Sequence, residues 1–174
     1  MLETERLFFR KFTFDDLNEL IEMRADPEVN KYLGGTRLQN PEAIKKRMRV
    51  YIDSHDKYGY GACAMIWKET GEMMGWGGLM PLEDTGETEV GYGMKKGFWG
   101  KGVGSESAIA WLRYGFEKAG LERIVAVAVP ENTGSWRIME KCGMHYEKTA
   151  EHYGEPCLFY AVSREEFLRR FPAK

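Results

Sequence analysis

The chain has 174 residues, 25 Lys+Arg against 27 Asp+Glu, and a formal net charge of -2 at pH 7. That length suits one domain over 1–174, since a chain of roughly 150 residues buries about 68–70% of its extended surface and forms a core without staples. The charge shows no basic excess that would point to nucleic acid or an anionic membrane.

Apolar residues at 43% and charged residues at 30% give globular composition and argue against disorder. The cysteines Cys63, Cys142 and Cys157 lie far apart without close histidines. That excludes a disulfide framework and a zinc knuckle, and suits a reducing, cytoplasmic compartment. No apolar run approaches the ~18 residues of a membrane span. Residues 1–10 do not read as a signal peptide.

The first element is a short strand over Arg6–Phe12. Thr13 reads as an N-cap with Asp15 and Asp16 in the first turn, and Leu17, Leu20, Ile21 and Arg24 have helical spacing. Asp26-Pro27 ends that helix, and a second short one covers Pro27 to Leu33. Gly34-Gly35 breaks the chain. A third helix runs from Pro41 to about His55.

Strands follow at Ala62–Trp67 and Met73–Met80 around a Glu69-Thr70-Gly71 turn, then at Thr88–Met94 after an acidic loop. Ser105 opens a helix with the stripe Ala108, Trp111, Leu112, Phe116 and Ala119, stopped by Gly120. Ile124–Val129 is apolar on both faces and reads as a central buried strand. A short helix covers Ser135–Cys142. Two strands near His145–Ala150 and Cys157–Val162 flank a turn at His152-Tyr153-Gly154. A last helix opens at the capping box of Ser163 and Glu166. Hairpins mixed with strand–helix–strand units predict an α+β fold around one mixed, mostly antiparallel sheet flanked by helices.

The chemistry sits in Trp99-Gly100-Lys101-Gly102-Val103-Gly104-Ser105-Glu106, between a strand and a helix. Glycines there let backbone N–H groups approach an anion, and the helix N-terminus adds positive potential, so a phosphate or pyrophosphate is the natural guest. A nucleotide P-loop fails, because Lys95 stands where its first glycine belongs and Gly102 follows the lysine. The dinucleotide pattern Gly-x-Gly-x-x-Gly fits neither at Gly100 nor at Gly91.

In these residues the chain resembles the GNAT family of N-acetyltransferases, in its ribosomal-protein N-terminal acetyltransferase branch. The family's pyrophosphate signature, Gln/Arg-x-x-Gly-x-Gly/Ala, is met at Gly102 and Gly104, with Trp99 at its first position, as in that branch. Thr4-Glu5-Arg6-Leu7, Asp26-Pro27-Glu28-Val29, Glu89-Val90-Gly91-Tyr92, and Pro130–Ser135 with Glu140-Lys141-Cys142-Gly143 match it in order.

The resemblance implies an enzyme that moves an acetyl group from acetyl-CoA directly to a primary amine, a protein N-terminus or a small molecule. It implies no metal, nucleic acid or membrane partner, and a monomer or homodimer. The fourth and fifth strands should splay, with Gly91 and Gly93 marking a bulge or a close approach. Backbone groups around Tyr92 to Met94 would hold the thioester carbonyl. Gly100, Lys101, Gly102, Val103, Gly104 and Ser105 would receive the pyrophosphate, with Gly104 as the glycine whose side chain would intrude on it. Asn132 would bind the pantetheine.

Glu89 matches the family's general base. The family's tyrosine acid is replaced by Met139, and Ser135 is the alternative near the sulfur. Glu83, Asp84 and Glu87 could attract a cationic amine. A non-catalytic acetyl-CoA-binding regulatory module of the same fold is the alternative reading, favoured only by Met139.

Overall fold

A computed structural model describes residues 2–33, 40–83 and 85–172. The expected break at Gly34-Gly35 and Asp84 of the acidic loop lie outside the described residues.

The elements are β1 (Leu2–Glu3), β2 (Leu7–Lys11), α1 (Leu17–Ala25), α2 (Pro27–Asn30), α3 (Pro41–Tyr58), β3 (Ala62–Trp67), β4 (Met73–Pro81), β5 (Thr88–Met94), α4 (Val103–Glu117), β6 (Arg123–Ala128), α5 (Thr133–Lys141), β7 (His145–His152), β8 (Glu155–Ser163) and α6 (Arg164–Arg170). The strands form one sheet in the order β1-β2-β3-β4-β5-β6-β8-β7. The two-residue β1, too short to carry a periodicity, was not expected. It shifts the strand count by one, so the expected fourth and fifth strands are β5 and β6.

Both faces of the sheet are covered. Phe12, Leu20, Ile44, Met48, Tyr51 and Trp76 pack between α1–α3 and the sheet. Leu7, Phe9, Trp111, Leu112, Phe116 and Phe167 are among those packed under α4–α6. The alternation that puts Leu7 and Phe9 in one cluster and Phe12 in the other follows from strand geometry.

The feature that makes a site is the junction of β5 and β6. β4 and β5 are joined through seven residue pairs, Gly75↔Met94 to Pro81↔Thr88, and β6 and β8 through six. Between β5 and β6, the one parallel pair, the partners are Glu89↔Val125 alone. Beyond that rung the strands diverge, as expected. The bulge expected at Gly91 and Gly93 is not there, since the β4–β5 register runs unbroken. The close approach is made by the Trp76 indole. A Cβ on Gly93 would lie 2.6 Å from Trp76 Nε1, and one on Gly91 would lie 3.1 Å from Trp76 Cζ3.

Candidate active site

The gap between the diverging strands opens into a cleft of about 810 Å³. Four of the residues singled out from the sequence meet there: Glu89 and Tyr92 on β5, and Asn132 and Ser135 at the start of α5. From the opposite face Arg24 of α1, Arg47 and Tyr51 of α3 and Trp76 of β4 complete the wall.

Glu89 is 7% exposed. Burial pushes its carboxyl up to about 7, against hydrogen bonds from the Tyr153 hydroxyl and the Val127 backbone that favour the charged form. The Tyr153 hydroxyl donates to Glu89 Oε2 at 2.6 Å. A carboxyl that changes charge near neutral pH, inside a cleft, has the property a general base needs.

On the other side of the gap the Tyr92 hydroxyl lies 3.0 Å from the Ser135 carbonyl, to which it donates, and 3.3 Å from Ser135 Oγ. Burial raises the Tyr92 phenol above its ordinary range. Ser135 does not cap its own helix. That role falls to Asn132, whose Oδ1 accepts from the Ser135 N–H at 3.2 Å. Met139 is buried, at 3% exposure. Tyr92 therefore brings to Ser135 the phenol that Met139 lacks.

The glycine loop stands beside the cleft, outside its lining. Its helix starts two residues earlier than expected, because Gly102 adopts a left-handed φ of 76° and serves as the N-cap of α4. The first bond of α4 runs from the Glu106 N–H to the Gly102 carbonyl at 3.1 Å. The amides of Val103, Gly104 and Ser105 thus have no acceptor within the helix. Gly100, at φ 73°, has nothing within 4 Å of a notional Cβ, and Gly102 has only Arg6 Nη2 at 3.7 Å. These two glycines, with the exposed Lys101, keep the helix end open.

At Gly104 the missing side chain also has a packing consequence. The residue is buried, and a Cβ there would meet Ile138 Cδ1 at 2.6 Å and Met94 Cε at 3.2 Å. Its missing Cβ allows α5 to approach α4, while its amide stays among those at the start of the helix. Met94 is 8% exposed, and its carbonyl accepts from Trp99 Nε1 at 3.0 Å, which ties the loop to the end of β5.

The acidic residues are engaged. Glu83 lines the cleft, but its Oε2 lies 3.0 Å from His152 Nδ1 and its Oε1 accepts from the Tyr153 N–H at 3.0 Å. Glu87 faces Arg123 at 3.3 Å, which also pairs with Glu147. Neither is a free anion waiting for a cationic amine. All three cysteines are buried and unbridged. Cys157 lines the cleft, and burial pushes its thiol up to about 11.

Sequence reasoning missed Tyr153 as a site residue. Its signal was a tyrosine before Gly154 in a tight turn, where asparagine or aspartate is the usual choice.

Among the described residues, no helix is long and apolar enough to cross a membrane. A family model described as an acetyltransferase (GNAT) domain matches residues 6–145. The chain is 31% identical to the uncharacterized N-acetyltransferase p20 of Bacillus licheniformis, over 94% of this chain and 97% of that one. It is 28% identical to the FsC-acetyl coenzyme A-N(2)-transacetylase of Aspergillus fumigatus, over 97% of this chain and 78% of that one. A crystal structure of a GNAT-family acetyltransferase from Bacillus anthracis superposes with a TM-score of 0.80 at 30% identity, over 95% of this chain and 99% of that one. A mostly antiparallel sheet parted at one parallel pair, a glycine-entered helix and this likeness agree: the chain belongs to the GNAT family of acetyltransferases.

Proposed function

We propose that the chain transfers the acetyl group of acetyl-CoA directly to a primary amine, with Glu89 as the general base. The observation that carries this reading is the position of Glu89. It is a buried carboxyl with a pKa raised to about 7, at the last rung before β5 and β6 part.

Acetyl-CoA supplies the activated thioester. The amine nitrogen forms the C–N bond as the C–S bond breaks. Glu89 takes the amine proton, because a protonated amine has no lone pair for attack. The Tyr92–Ser135 hydroxyl pair supplies a proton to the leaving thiolate. The free amides at the start of α4 and the open backbone of Gly100–Gly102 receive the pyrophosphate. The family resemblance places Asn132 on the pantetheine. Direct transfer fits the cysteines, since a thiol pushed up to about 11 is a poor nucleophile at neutral pH. The acceptor is a protein N-terminus or a small-molecule amine.

The test is a panel of amines and N-terminal peptides, assayed for coenzyme A release and for the acetylated product by mass spectrometry. Glu89→Gln is run alongside and should lose about 10²–10⁴ in rate near neutral pH. Binding of acetyl-CoA with no acetylated product from any amine would support the regulatory module instead.

A further inference from the structure

Among the described residues, two that are not glycine have a left-handed backbone: Glu83 at φ 47° and Tyr153 at φ 55°. They touch each other. The β7–β8 ladder ends at the pair His152↔Glu155, so the hairpin turns on Tyr153 and Gly154 alone. Gly154 has φ 76°, and two left-handed residues in a row are what a type I′ turn requires. Asparagine, aspartate or glycine fills the first position at little cost, whereas a bulky aromatic there is an outlier. The turn needs no tyrosine in order to close. Backbone strain of this kind persists where surrounding contacts enforce it, and it concentrates at functional sites.

Here the enforcing contacts are visible. Glu83 accepts from the Tyr153 N–H through Oε1 and faces His152 Nδ1 through Oε2, both at 3.0 Å. What the strained residue delivers is its hydroxyl, 2.6 Å from Glu89 Oε2. Tyr153 as a whole sits at the surface, yet its hydroxyl reaches a carboxyl that is 7% exposed.

We propose that Tyr153 is a positioning residue of the acyl-transfer site: it holds the Glu89 carboxylate in place to accept the amine proton, and Glu83 clamps the turn that aims it. This rests on Glu89 as the base.

The neighbourhood of Glu89 leaves this hydroxyl a decisive part. Arg47 acts on Glu89 from α3, Glu83 from the loop after β4, and the Val127 amide from β6. Tyr92 on β5, Cys157 on β8 and His152 at the end of β7 are further titratable groups of the cleft, as are Arg24 on α1, Tyr51 on α3 and Glu155 on β8. Burial favours the neutral carboxyl, which cannot accept a proton. The Tyr153 hydroxyl and the Val127 amide favour the charged one. Tyr153 is the side chain that donates.

The experiment compares parent, Tyr153→Phe, Tyr153→Asn, Glu83→Ala and Glu89→Gln. The first readout is the pH profile of kcat/KM, using the amine found in the acceptor panel. The second needs no acceptor: the titration of Glu89 by carbon NMR of glutamate-labelled protein, its signal identified by its loss in Glu89→Gln.

Losing a hydrogen bond to a charged group should move the acidic limb and the Glu89 titration upward by about one to two pH units in both Tyr153 variants. The rate at pH 7 falls about 5- to 50-fold and recovers at high pH, while the KM for acetyl-CoA stays constant. Glu83→Ala releases the turn, which moves both readouts the same way, but it also removes a negative charge that raises Glu89, so the net shift is smaller. Tyr153→Asn suits the turn, so its Tm equals or exceeds that of the parent, which separates the effect from misfolding. Unmoved titration and profile in both Tyr153 variants overturn the proposal. A parent-like profile in Glu89→Gln overturns the base assignment instead, and the NMR titration still reports whether Tyr153 holds the carboxylate.

Discussion

Arg6 donates twice to Glu106, from its backbone N–H to Oε1 at 3.0 Å and from Nε to Oε2 at 2.7 Å. Thr4 Oγ1 adds a third donor, and Arg6 Nη1 reaches on to the Lys101 carbonyl at 2.9 Å. The stretch Thr4–Leu7 thus has a physical task. It fastens the start of β2 to the first turn of α4 and holds the glycine loop from behind.

Arg6→Ala should therefore weaken acetyl-CoA binding by calorimetry and lower the Tm. Burial pushes the Glu106 carboxyl up, but the hydrogen bonds from Thr4 and Arg6 outweigh it and hold the group below its ordinary range. A depressed carboxyl stabilises the fold above its unfolded pKa and loses that contribution as pH falls. The stability gap between parent and variant should be widest at neutral pH, about 1–2 kcal/mol for a partly exposed pair, and narrow on acidification. A constant gap from pH 3 to 7 would assign the loss to packing.

Gly102 and Gly104 should separate affinity from stability. Gly102→Val strains a left-handed position by about 1–2 kcal/mol and places a side chain at the helix end, so acetyl-CoA affinity should fall more than Tm. Gly104→Val pushes against Ile138 and Met94 and should cost about 1–3 kcal/mol of stability, with affinity changed mainly through misplacement of α4. Calorimetry with thermal melts of both variants decides. Equal affinity losses at unchanged Tm would mean that a side chain at Gly104 reaches the phosphates directly.

Glu89 makes a prediction about stability as well as rate. Its carboxyl is raised to about 7 from an ordinary 4.5. The folded state then binds more protons than the unfolded one between those values, and stability falls as pH rises through that window. Glu89→Gln removes the buried charge, so its stability should match the parent's near pH 4 and exceed it above pH 7, by up to ~3 kcal/mol. A variant less stable than the parent at pH 8 would mean that its contacts outweigh the cost of burying the charge.

The proton for the departing thiolate should depend on Tyr92 and Ser135. Tyr92→Phe is expected to lower kcat by about 10² with acetyl-CoA affinity retained, and Ser135→Ala by less, since the phenol remains. Met139→Leu conserves volume in an apolar setting and should cost under ~1.5 kcal/mol and little rate. Steady-state kinetics of the three variants rank them. A large loss in Met139→Leu with none in Tyr92→Phe reverses the assignment.

The helices and strands were legible because period and punctuation agreed, as at Asp26-Pro27, Gly120 and the Ser163–Glu166 box. Glu89 was legible through a family motif. At Gly104 the motif gives the residue's identity and not the direction of its missing Cβ, which the packing of Ile138 reveals. Tyr153 showed locally only as a tyrosine in a tight turn; its contact with Glu89, 64 positions away, is one that no local pattern encodes. Tyr92 was read for its backbone alone, since its side-chain partner on α5 depends on how α4 and α5 dock.

The single rung between β5 and β6 also bears on how the molecule holds together. One half-sheet, β1–β5, and another, β6–β8–β7, share one backbone pairing and their helical cover, so the seam should be where amide exchange is fastest within the sheet. An occupant of that seam links the halves as well as reacting between them. At one hundred times its Kd it would add ~2.7 kcal/mol to the folded state, with the greatest slowing of exchange along Gly91–Met94 and Ala126–Ala128.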